Sequence, residues 1–358
     1  MNRLDSLDWL RGLLAVSIMT YHLTSWLFYT PDAGGILGRL GVYGVSMFFV
    51  LSGLSMAFVY SKYKCDIQCA LNFYTRRVFR IWPLLWIAIF LVSLGKVILN
   101  IEISWIKIFL NLTTLFGFLS PAAYINTGAW SIGNEMVYYA LTPFILYLFN
   151  KRVLYGNLVL LVTMLIGGLF ACEIISSDKT LASQWHSYIN PFNNLFFYCS
   201  GVAIFYNTHA SNYGNKVVAS MLFIALSTFL FYPSNGDEVI LVTGANRFIF
   251  STASILMVIA FYKAQLKIPR LLSIPLKQLG IVTYGVYLLH PIAFQGVIIL
   301  FKQLGMSNLS LAIALLTSVI TIVVSFVVFR IVESPLITVG KNVANQYFIL
   351  TSKNIGLR

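Results

Sequence analysis

Residues 310–332 read SLAIALLTSVITIVVSFVVFRIV, with no charge before Arg330. About 20 apolar residues at about 1.5 Å each cross the roughly 30 Å hydrocarbon core of a bilayer, so this run reads as a membrane-spanning helix. Comparable stretches lie near residues 7–29, 40–60, 78–99, 130–149, 153–175, 191–207, 217–232, 247–262 and 278–300. Composition agrees: of 358 residues, 59% are apolar and 10% charged, against about 45–50% and about 25% in soluble domains. So few polar groups cannot cover the surface of a water-soluble protein, and so much apolar surface excludes disorder. The expected fold class is all-α, a polytopic transmembrane bundle of about ten spanning helices.

An eleventh stretch, 103–119, carries Lys107 and Asn111 and ends at Ser120-Pro121. It reads as a re-entrant or interfacial piece, tolerated where protein or water covers its backbone. Charge supports leaving it out of the count. With ten spans and both termini cytoplasmic, 18 of the 24 Lys and Arg residues fall inside, leaving Arg39, Lys96, Lys107, Lys179, Arg247 and Lys302 outside. That partition follows the positive-inside rule, whereas an eleventh span would move Lys151, Arg152 and the 263–277 cluster outside. Most of the net charge of +13 is thereby assigned to topology, and no nucleic-acid partner is implied.

Asp8 and Arg11 interrupt what would be the apolar core of a cleavable signal, so the first helix is expected to stay in the mature protein. The expected organisation is one integral-membrane domain, 1–340, followed by a short cytoplasmic tail, 341–358. The four cysteines have no zinc-type spacing and read as small hydrophobes. No metal site, Gly-rich phosphate loop or nucleophile elbow is found. Ser46 and Ser52 are candidate nucleophiles for which spacing assigns no partner.

Ionisable groups on apolar helices are costly and therefore mark function. Arg11 and His22 lie within about 20° of one face of the first helix and about 16 Å apart along it. Arg77 and Arg80, spaced i and i+3 before Trp82-Pro83, share a side and could grip a phosphate or pyrophosphate with forked donors; a topological anchor would use the same residues. Ser131 and Glu135, at i and i+4 on the fourth span, share a face with Tyr138 one turn on. Glu135 could accept a proton or orient an imidazole; Ser131 could equally cap the helix. Tyr287 and His290, in Tyr284-Gly285-Val286-Tyr287-Leu288-Leu289-His290-Pro291, sit at a proline where carbonyls are freed.

Taken together these segments resemble the acyltransferase 3 family of bacterial membrane O-acyltransferases. The matching pieces are Leu7-Asp8-Trp9-Leu10-Arg11-Gly12 through His22, then Gly41 to Gly53, the Arg77–Arg80 pair, Trp130-Ser131…Glu135, Tyr287-Leu288-Leu289-His290 and Glu333-Ser334-Pro335. They occur in the family's order from residue 7 to about 335. Trp9 stands where a glycine is common, and Leu54 where an aromatic is common. The resemblance implies transfer of an acetyl or other acyl group from an acyl-CoA co-substrate, with no permanently bound cofactor. The acceptor it implies is a hydroxyl of a cell-surface glycan, such as O-antigen lipopolysaccharide, capsule or exopolysaccharide, or of a lipid-linked sugar. His22 is then the expected general base with Glu135 assisting. Arg11, Arg77 and Arg80 are expected on the CoA, and Ser131, Tyr287 and His290 on the acceptor. The expected setting is the bacterial inner membrane, in contact with lipid. A transporter or flippase of a lipid-linked sugar is the competing reading, since ten spans with buried charges suit it too.

Overall fold

The computed structural model describes residues 5–62, 66–264 and 268–354, and the described residues form helices and loops without strands. The chain begins with α1 (Asp5–Leu27), α2 (Ile36–Tyr60) and α3 (Ile67–Ile98). The 103–119 stretch forms only the eight-residue α4 (Trp105–Leu112) and a single turn at Phe116–Leu119, too short to cross. Asn111 ties it down: its amide donates to the Lys107 and Ala123 carbonyls, and its oxygen accepts from the Ile125 N–H. Next come α5 (Trp130–Lys151), α6 (Val153–Leu169, extended by a π turn to Ile174), α7 (Pro191–Thr208), α8 (Asn215–Phe231) and α9 (Gly244–Lys263). The chain closes with α10 (Arg270–Ile281), α11 (Thr283–Gln303), α12 (Ser310–Val328) and, after a π turn at Phe329–Glu333, α13 (Ser334–Asn354).

Every expected span therefore coincides with a helix, with two differences. The expected ninth span, 278–300, is divided at Val282: α10 ends there and α11 carries the crossing. The boundary expected at residue 340 falls inside α13.

Among the described residues six helices, two of them extended through adjoining π turns, are long and apolar enough to cross a membrane by length and composition alone: Ile36–Tyr60, Ile67–Ile98, Val153–Ile174, Gly244–Lys263, Thr283–Gln303 and Ser310–Gln346. Their burial sorts the bundle. The apolar window of α2 is 72% buried against protein, whereas those of α3, α6 and the α12–α13 helix are 28%, 22% and 22% buried. So α2 sits at the centre and the other three present apolar faces outward, where lipid takes the place of a protein partner. α1 and α7 are long but more polar, because Asp8 on α1 and Asn193 and Asn194 on α7 turn inward and are buried. The centre depends on close backbone approach. A Cβ on Gly53 of α2 would lie 2.0 Å from the Tyr198 carbonyl of α7, and one on Gly201 of α7 the same distance from the Val50 carbonyl.

Candidate functional site

Eight helices line a cavity of about 590 Å³, within the ~300–1,000 Å³ typical of ligand sites, and five of them supply most of its polar groups. α1 contributes Arg11, α2 Ser52 and Ser55, α3 Arg77 and Arg80, α5 Ser131, Glu135 and Tyr139, and α11 Tyr284 and Tyr287. The i, i+4 spacing of Ser131, Glu135 and Tyr139 puts all three on the inner face of α5. Tyr138 lies off that face and is buried elsewhere, donating to the Pro191 carbonyl at 2.8 Å; the functional neighbour of Glu135 is Tyr139.

One Glu135 oxygen, Oε1, accepts from Ser52 Oγ at 2.6 Å and from Tyr139 OH at 2.5 Å. Ser52, for which spacing found no partner, thus has a carboxylate. The Tyr139 ring in turn forms one side of an aromatic enclosure around Arg77, whose guanidinium carbon lies 5.7 Å from the Tyr60 and Tyr139 centroids and 5.8 Å from Phe73. Arg77 also donates to Tyr60 OH at 3.4 Å. A weakly hydrated guanidinium suits this environment, since ring faces attract its charge while its planar edge stays available for an anion. Arg11 donates to Asp8 at 2.9 Å and Ser55 at 2.5 Å, and Arg80 is exposed at the rim. Lys341 also lines the cavity, although the sequence expectation put it in the tail. Four cations against Glu135, the one carboxylate among the described lining residues, favour a polyanionic ligand.

At the other end, Ser131 does not cap its helix: the cap position is Ala129, with no side-chain cap bond. Instead Ser131 Oγ donates to the Gly128 carbonyl at 3.1 Å or shares a 2.8 Å bond with Tyr287 OH, which itself donates to Gly128 at 2.8 Å. Gly128 has φ +84, and an added Cβ would come within 3.1 Å of that hydroxyl, so a glycine is required for this closure.

His22 and His290 are not part of the cavity wall. Of Arg11 and His22, expected to look into one shared interior, only Arg11 reaches the cavity. His22 lies with His290 behind Tyr287, whose ring centroid is 6.2 Å from that of His290. The two imidazoles form a pair: His22 Nδ1 is 2.8 Å from His290 Nε2, with the rings 5.0 Å apart and 12° from parallel. Trp26 stacks on His22 at 5.2 Å and 7°.

Two cations assigned to outer loops are interior. Arg39 donates to the Ala33, Phe229 and Tyr232 carbonyls, and Arg247 donates to Asn193 and Asn194 and lies over the Phe196, Phe197 and Tyr43 rings. Each position opens a helix, which loop counting reads as membrane surface. Among the described residues, no three His, Cys, Asp or Glu side chains come together to hold a metal.

A family model described as an acyltransferase domain matches residues 4–330. Among curated relatives, the peptidoglycan O-acetyltransferase OatA of Listeria monocytogenes is 23% identical over 98% of this chain and 59% of its own length. A Bacillus subtilis protein assigned as the peptidoglycan O-acetyltransferase YrhL is 23% identical over 97% of this chain and 57% of its own. A Komagataeibacter xylinus protein assigned as the membrane-bound transacylase BcsY is 24% identical over 81% and 72%. The chain spans just under three fifths of the length of the two peptidoglycan O-acetyltransferases. No solved structure matches the chain at a significant level. With a match over nearly its whole length, the chain belongs to the acyltransferase 3 family.

Proposed function

We propose that this membrane protein is an O-acyltransferase that moves an acyl group, acetyl in the simplest case, from coenzyme A to a hydroxyl of a cell-surface glycan or lipid-linked sugar. The observation that carries the reading is the cavity itself. It joins Arg11, Arg77, Arg80 and Lys341 to Ser131, Glu135 and Tyr287, with the histidine pair just beyond. Coenzyme A carries several phosphate charges, and guanidinium groups hold phosphates through forked, charge-assisted donors. The names of the relatives, two concerned with peptidoglycan O-acetylation and one with transacylation, support a glycan as acceptor.

The donor enters from the cytoplasm, its phosphates at the arginine end and its thioester towards Tyr287. The acceptor oxygen attacks the thioester carbonyl carbon while its proton passes to His22 as general base. The carbon–sulfur bond then breaks, coenzyme A leaves as thiolate and takes up that proton, and His22 returns to its neutral form. Glu135 holds Ser52 and Tyr139, and through the Tyr139 ring the Arg77 enclosure, so it positions the donor end.

Membranes carrying wild-type protein release free thiol from acetyl-CoA and acetylate the host's surface glycan. His22→Ala lowers turnover by about 10²-fold or more in correctly inserted protein, and Arg77→Ala with Arg80→Ala raises the KM for acetyl-CoA. Wild-type turnover by His22→Ala removes His22 from the chemistry. Transbilayer movement of a lipid-linked sugar without thioester consumption replaces the reading with a flippase.

A further inference from the structure

The two histidines differ in what they can touch. His290 is 1% exposed, buried immediately before Pro291 in α11, leaving no surface for a sugar. His22, half-buried on α1, keeps a free edge. This separates their roles, and the hydrogen bonds say how.

His290 Nδ1 lies 3.0 Å from the Val286 carbonyl one turn earlier. A carbonyl oxygen only accepts, so the proton of neutral His290 sits on Nδ1 and its Nε2 carries a lone pair. That lone pair faces His22 Nδ1 at 2.8 Å, so His22 in turn carries its proton on Nδ1. The remaining nitrogen of His22, Nε2, is then bare. From this chain of Val286 carbonyl, His290 and His22 we infer that His290 is a positioning residue, which fixes His22 in the Nδ1–H tautomer and presents Nε2 as the accepting nitrogen.

The arrangement does the work that a carboxylate does for histidine in many hydrolases: it selects the tautomer, fixes the ring plane and stabilises the imidazolium once the proton arrives. Here the orienting group is neutral, which avoids burying an anion in the bilayer interior. Trp26, stacked on His22, holds the ring from its face and favours the positive charge that develops on it. The expectation that His290 binds the acceptor is replaced by a role exerted through His22. This inference rests on the reading of His22 as base, but its structural half is tested without turnover.

The chain contains four histidines, His22, His186, His209 and His290, so ¹⁵N-histidine-labelled full-length protein in detergent gives few ring signals, each assigned by single substitution. His22 and His290 should both report the Nδ1–H tautomer. In His290→Leu the His22 signal should move to a mixture of tautomers, and in His290→Gln, whose carbonyl can stand where Nε2 stood, it should stay. Thiol release from acetyl-CoA in membranes containing the host glycan should fall about 10- to 100-fold in kcat for His290→Leu, with the acetyl-CoA KM unchanged, and recover in His290→Gln. An Nε2–H tautomer for wild-type His22 overturns the inference. So does His290→Leu with normal kcat, or a variant that changes only a substrate KM. Should His290→Leu fail to fold, the wild-type spectrum and His290→Gln still decide. If His22→Ala keeps full turnover while the tautomers are as stated, the pairing stands and the catalytic reading falls.

Discussion

A guanidinium enclosed by three rings behaves differently from one in water. Arg77 lies over Tyr60, Phe73 and Tyr139, and its planar, weakly hydrated head can stack there and still offer donors in-plane. A lysine ammonium keeps the charge but is strongly hydrated and has no face to stack. Arg77→Lys should therefore behave as a binding mutant, raising the KM for acetyl-CoA about tenfold, or about 1.4 kcal/mol, with kcat little changed; initial rates in membranes check this. Glu238, in the loop between α8 and α9, gives a second test. Burial pushes its carboxyl up to about 7, with a bond from Tyr21 opposing and the charges of Asp237 and Asp32 adding to the rise. The fold thus favours the protonated form. The associated stability is full below the ordinary value of 4.5 and is lost as pH rises through about 7. The thermal midpoint in detergent should fall between about pH 5 and about pH 8, and Glu238→Gln should flatten that dependence. Much of the site was legible at this scale, because a charge on an apolar helix stands out. Arg11, Arg77, Arg80, Ser131, Glu135 and Tyr287 were each found by type or spacing. Tyr139 and Lys341 were not, nor was the carboxylate partner of Ser52 or the pairing of His22 with His290, 268 residues apart. Helical periodicity relates residues within one element and says nothing about which elements meet.

Among the elements, the crossing of α2 with α7 is the most demanding. Gly53 and Gly201 admit the partner backbone at distances that no side chain allows, each Cβ falling 2.0 Å from a carbonyl oxygen. Backbone cannot swing aside as a side-chain tip can, so Gly53→Ala should destabilise by about 1–3 kcal/mol or more. The comparison is Gly95 on α3, where an added Cβ meets nothing within 4 Å. Gly95→Ala should be neutral or stabilise by up to about 1 kcal/mol through helix propensity. Thermal unfolding of the purified proteins in one detergent separates the two, and equal effects would remove the close crossing as the cause. Hydropathy located these helices well, but it ranked them by apolarity rather than by place. The most apolar helices include the peripheral α3, α6 and α12–α13, whereas α1, which carries Arg11 and His22, is not among the six apolar enough to cross. A helix facing lipid must be apolar on its outside, while one inside the bundle can carry the polar groups that function needs. The break at Val282 was missed for a related reason: α10 is covered by α1, with a Cβ on Gly280 falling 2.1 Å from the Asp8 carbonyl, so the continuous apolar run concealed two helices.

For the whole molecule, orientation decides whether the cavity can meet its donor. The proposed donor, acyl-CoA, is cytoplasmic, and that reading requires the ends of α3 and α13 that bring Arg77, Arg80 and Lys341 to the cavity to face inward. The distribution of Lys and Arg demands the same sign, although Arg39 and Arg247 leave that count as buried cations. Two cysteines report the orientation. Cys69 lies in the first turn of α3, two turns before Arg77, and Cys172 is exposed in the π turn that ends α6. Because α6 returns across the bilayer from the side on which α5 ends, the two thiols belong to opposite faces. With Cys65 replaced by Ser throughout, a membrane-impermeant maleimide added to intact cells should label the protein, and Cys172→Ser should abolish that labelling. Cys69→Ser should leave it unchanged; in inside-out vesicles the dependence should reverse. Cys199 is buried and should react only after denaturation. The opposite pattern would place the arginine end of the cavity outside, away from coenzyme A, and would overturn the donor assignment even if the fold and the histidine pair were both correct.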